Sequence, residues 1–73
     1  MIFRDYHNFR LDDALSDAES VISHVRMERK AEEARFITGY GVIREELYDL
    51  LVRYGLEPTY ELGNQGVILV DIV

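Results

Sequence analysis

Two segments of this 73-residue sequence carry residue types able to move a proton or hold a phosphate. The first is Asp5-Tyr6-His7. Two apart in an extended chain, Asp5 and His7 point to one side. A carboxylate beside an imidazole orients the ring, fixes its tautomer and favours its protonated form. The second segment is Thr38-Gly39-Tyr40-Gly41-Val42, with Arg44 two residues beyond. Its glycines let the backbone come close to a ligand, and amides that open a helix attract phosphate. Thr38 adds a hydroxyl and Arg44 a cation that can reach the same anion. Tyr40, between two glycines, can stack on an unpaired base. Each segment also has a plain structural alternative: a polar pair ending a strand, and an ordinary strand-to-helix turn.

Other chemistries lack their residues. There is no cysteine, so disulfides and thiolate metal sites are excluded. No Ser-His-Asp order, phosphate-binding P-loop or zinc motif is present. Asp5 and His7 would hold a divalent metal only with further partners that the sequence does not identify, and no other cofactor is expected. His24 reads as a lone surface histidine, and Glu28, Glu32 and Glu33 as a solvated charge run.

The elements that must position these residues follow from hydrophobic spacing. Ile2 to Tyr6 reads as a short first strand. Leu11, Ala14, Leu15, Ala18, Val21, Ile22 and Val25 recur at steps of three and four, which predicts an amphipathic helix. Asp12 and Asp13 in its first turn, and Arg26, Arg29 and Lys30 in its last, suit the helix dipole. Arg35 to Ile37 reads as a second strand. A second helix carries Ile43, Leu47, Leu50, Leu51 and Tyr54 on one stripe, with Gly55 as a left-handed cap and Pro58 as a stop. Thr59 to Leu62 pairs with Val67 to Val73 in a hairpin across Gly63-Asn64-Gln65-Gly66. The apolar run Val67 to Val70 suits a central strand, or one buried on both faces.

The order β-α-β-α-β-β predicts one domain over residues 1–73. It is an α/β (α+β) two-layer sandwich with a four-stranded mixed sheet and both helices on one face. If the first two strands run parallel, their C-terminal ends lie at one edge. That edge, where α/β sheets bind ligands, then gathers Asp5 and His7 with Thr38 to Gly41.

With 48% hydrophobic and 30% charged residues the chain reads as globular. Its net charge of −6 is unlike the basic face of a generic duplex clamp. Cations do bunch at Arg26, Arg29, Lys30 and Arg35, as a basic patch or as a solvated helix end. The longest apolar run is far short of the roughly 20 residues of a membrane span. No signal peptide is read in Met1 to Asp5, so a cytoplasmic setting is expected.

Arg4-Asp5-Tyr6-His7-Asn8, Leu11-Asp12-Asp13-Ala14-Leu15 and Phe36-Ile37-Thr38-Gly39-Tyr40-Gly41-Val42-Ile43-Arg44 together resemble the Smr (small MutS-related) domain family. In that family a strand ends in L-D-x-H-G, a second strand ends in H-G-x-G before a helix opening V-L-R, and a hairpin closes the domain. The likeness runs from about Ile2 to Val73. It implies an endonuclease-like module that nicks or cleaves RNA or DNA, with Asp5 and His7 catalytic. Thr38, Gly39, Tyr40, Gly41 and Arg44 would then bind the nucleic acid. Three residues depart from the pattern: Arg4 replaces the leucine, Asn8 the glycine, and Thr38 the second-motif histidine. A Thr-Gly-aromatic-Gly version occurs in plant Smr domains, where the activity points to RNA. The alternative is an Smr-fold module without the chemistry that binds nucleic acid, a protein partner or a second copy of itself.

Overall fold

The computed structural model describes residues 1–73. Six elements follow in order: β1 (Ile2–Asp5), α1 (Leu11–Glu28), β2 (Glu32–Ile37), α2 (Val42–Arg53), β3 (Thr59–Glu61) and β4 (Asn64–Ile72). The sheet order is β1-β2-β4-β3. β1 pairs parallel with β2, and β4 lies antiparallel between β2 and β3. The expected four-stranded mixed sheet with two helices is the fold of this chain. No helix is long and apolar enough to cross a membrane.

Side-chain alternation divides the sheet into two faces. Ala34, Phe36, Ile68, Val70 and Ile72 turn to one face, where the buried stripes of both helices meet them in one core. Ala14, Ala18, Val21, Ile22 and Val25 come from α1, and Ile43, Leu47, Leu50 and Leu51 from α2. The spacing anticipated both stripes. No helix covers the other face. Arg35 lies there, held by Glu61 through two hydrogen bonds of 3.1 Å and set 5.4 Å from the Phe3 ring. The run Val67 to Val70 is central, as expected, but only one of its faces is roofed by helices.

Local punctuation differs from expectation at three places. β2 begins at Glu32, not Arg35, because the backbone of Glu32 and Glu33 pairs with Ile72 and Asp71 of β4 whatever their side chains are, and β1 joins from Ala34 on. Glu32 and Glu33 are therefore strand residues. α1 ends at Glu28, so Arg29 and Lys30 lie beyond its last turn. Arg29 takes the left-handed cap conformation (φ 56°) that glycine more often fills. The third difference is the hairpin. Its loop is Leu62-Gly63, with Gly63 at φ 79°, and Asn64 already pairs with Glu61. Tyr60 pairs with Ile68, so Gln65, Gly66 and Val67 bulge from β4 with no counterpart on β3.

A chain of this length has a total stability of roughly 4–11 kcal/mol at ordinary per-residue values. Leu47 is fully buried between the layers. Leu47→Ala should cost about 2–5 kcal/mol through lost burial and the cavity left behind. Urea denaturation followed by circular dichroism should show the midpoint falling sharply with the slope unchanged.

Candidate functional site

Asp5 and His7 are aimed by the residue between them. Tyr6 is 1% exposed, its ring stacked 5.6 Å from Phe36. Its amide donates to the Ile37 carbonyl (2.7 Å), which carries the β1–β2 ladder one residue past the strand. Its hydroxyl donates to Asp17 of α1 (2.5 Å), and Arg4 donates to the same carboxylate oxygen (3.2 Å). Burial and the carboxylate both push the phenol's pKa well up, so it remains a donor. With Tyr6 driven into the core, its neighbours emerge at the surface.

There they form a compact unit. One oxygen of Asp5 accepts from the His7 amide (3.1 Å) and faces His7 Nδ1 at 2.5 Å. The His7 contacts hold the Asp5 carboxyl below its usual range, first through the side-chain hydrogen bond and then through the amide. An ionised carboxylate can only accept. Nδ1 therefore carries the hydrogen, and Nε2 is the nitrogen left for other work. Both side chains are about half exposed.

The second segment meets this unit at one rim. A Cβ built on Gly39 would stand 4.0 Å from the His7 Cβ, and Gly39 itself adopts φ 72°, which favours glycine. The bulged strand joins them. The Gly66 carbonyl accepts from the amides of Thr38 (2.8 Å) and Gly39 (3.1 Å). Sequence reasoning placed Gly66 only in a turn; the double acceptance makes it a third component of the rim. Its sole sequence signal is a glycine immediately before the apolar run Val67 to Val70.

Thr38 departs from expectation. It is 4% exposed, and its hydroxyl hydrogen lies between the carbonyls of Gly39 (2.9 Å) and Gly66 (3.2 Å). It braces the turn and does not face a ligand. The Gly39 amide is likewise taken, so the amides turned toward an anion would be those of the first turn of α2, whose N-cap Gly41 offers no side chain.

Arg44 and Tyr40 form the other half of the rim. The Arg44 guanidinium lies 5.3 Å from the Tyr40 ring and 4.4 Å from the Tyr60 ring, and Tyr60 stacks on Tyr48 at 5.0 Å. These rings account for a cation in a first helical turn, where the dipole opposes it. Arg44 Nε is buried without an acceptor. Tyr40 is 68% exposed. Of the two readings of the cations near the end of α1, a basic patch or a solvated helix end, the patch is not formed by Arg26 and Arg35. Arg26 binds the carbonyls of Tyr54 and Val73, while Arg35 sits mid-sheet with Glu61.

The three surface hollows of the molecule involve none of Asp5, His7, Gly39, Tyr40 or Arg44, so the rim is an open lip and not a pocket. No three His, Asp or Glu side chains converge as a metal-ion group. No protein-family model matches the chain, and no curated protein matches it.

The Asp5 contact sets a pH expectation. A depressed carboxyl pKa contributes stability above the unfolded value, and loses it as pH falls through the folded one. Carbon-detected NMR should place the Asp5 titration below the usual carboxylate range, and His7→Ala should raise it only part of the way back, because the residue 7 amide still donates to the carboxylate.

Proposed function

We propose that this chain is an Smr-like nucleic-acid-processing domain that cleaves phosphodiester bonds of RNA or DNA at the β1–β2 rim. The observation that carries the proposal is the placing of the Asp5-held imidazole beside the Gly39 turn, on the lip that also presents Tyr40 and Arg44. The motif likeness and the matching element order support it. An open lip suits a polymer laid across it better than a small enclosed substrate.

His7 Nε2 would take the proton of the attacking hydroxyl, either a ribose 2′-OH or a water. Asp5 would stabilise the imidazolium that forms and keep the ring oriented. As the new P–O bond forms, the bond to the leaving oxygen breaks; that oxygen takes its proton from solvent water, and the imidazolium later returns its own to solvent. Arg44 and the first amides of α2 would offset charge on the phosphoryl oxygens. Thr38 has no part in this step, because its hydroxyl is committed inside the turn.

That commitment also favours a second reading. It leaves neither the threonine hydroxyl nor a second imidazole of the turn to act opposite His7, which suits a module that binds a strand without cutting it. Incubation with single- and double-stranded RNA and DNA, with and without Mg²⁺ or Mn²⁺, separates the two. Cleavage that drops about 10²–10⁴-fold in His7→Ala, with the melting temperature unchanged, supports the nuclease. Binding without cleavage, indifferent to His7→Ala, supports the second reading.

Few cations face the rim, so binding should depend weakly on salt. For one or two phosphates contacted in a single strand, log K should fall against log salt with a slope of about −0.7 to −1.4. A fluorescence-anisotropy salt titration measures it.

A further inference from the structure

Resting on the nucleic-acid reading above, we infer that the rim takes a single strand, and that one unpaired base lies flat on Tyr40 with Arg44 as its fixed support. Tyr40 is a large side chain left mostly in solvent, yet it is not loosely placed. Its ring lies against the β4 bulge so closely that a Cβ on Gly66 would stand 3.1 Å from its Cε1. Arg44 packs against it, and Tyr60 and Tyr48 continue the column into the body of the domain.

The state of Arg44 points to a ligand. Arg4, Arg26 and Arg35 each donate to a protein oxygen, and Arg10, Arg29 and Arg53 are exposed to solvent. Arg44 is held by rings instead, with Nε dry and unpartnered. A guanidinium so placed strengthens stacking and keeps its remaining donors for a phosphate next to the stacked base. Stacking also answers the charge problem. A protein of net charge −6 gains little from duplex phosphates, whereas a base face carries no charge to repel. Inside a duplex both faces of every base are covered, so the platform is usable only by an unpaired nucleotide. Every base has such a face, so the preference should be for strandedness and not for sequence.

The test is anisotropy binding of the whole chain to labelled single-stranded and duplex oligonucleotides of mixed sequence, in RNA and DNA versions. The wild type should bind single strands more tightly than duplexes. Tyr40→Ala should weaken single-strand binding by roughly 5- to 150-fold, the range of one lost base–aromatic stack. Tyr40→Phe should keep most of it, and Arg44→Gln should weaken it and flatten the salt slope. Comparing the RNA and DNA arms shows whether a 2′-hydroxyl contributes. Equal affinity for duplex and single strand, or no loss in Tyr40→Ala, overturns the inference and leaves the nucleic-acid reading standing. No binding to any of the four probes overturns that reading and the inference with it.

Discussion

The rim depends on the burial of Tyr6. A phenol in the core must find an acceptor for its hydroxyl, and Asp17 on α1 supplies it while Arg4 balances the carboxylate's charge. This ties the end of β1 to the first helix at the same point where the Tyr6 amide ties it to β2. The side chain can enter the core only if its sequence neighbours do not. Asp5 and His7 are thus exposed by the same contact that anchors the strand, and their mutual hydrogen bonds settle the ring's orientation locally.

A second constraint lies in β4. Gln65 to Val67 bulge away from β3, while on the other edge the β2–β4 register runs on from the Ile37–Val67 pair. At its next position the Gly66 carbonyl holds two successive amides of the Thr38–Gly39 turn. The lack of a side chain at Gly66 makes room for Tyr40, and the lack of one at Gly39 leaves open space beside His7. The end of β1, the end of β2 and the start of β4 meet at one lip because β1 and β2 run together while β4 runs against them.

Net charge is a poor guide to such a surface. The chain is strongly acidic, but three of its arginines are committed to oxygens of the protein itself, and Arg44 on the lip is kept in place by tyrosine rings. What the rim offers is an imidazole, an aromatic face and a single guanidinium, a set better matched to stacking than to a broad electrostatic grip.

Hydrophobic spacing was enough to place both helices and the order of elements along the chain, and to mark Val67 to Val70 as a strand either central or buried on both faces, since each is a local periodicity. Parallel pairing of the first two strands then brings Asp5 and His7 to the edge shared by Gly39 to Gly41. Other features depended on residues distant in sequence. Tyr6 between two polar residues reads equally well as core or surface until Asp17 is seen beneath it. Thr38 reads as a ligand group until the carbonyl of Gly66, 28 residues away, claims its hydroxyl. Arg35 belongs to a basic run along the chain but to an ion pair with Glu61 across the sheet. Periodicity is set by neighbours along the chain, whereas the partner of a buried polar group is set by whichever distant segment the packing brings within hydrogen-bonding reach.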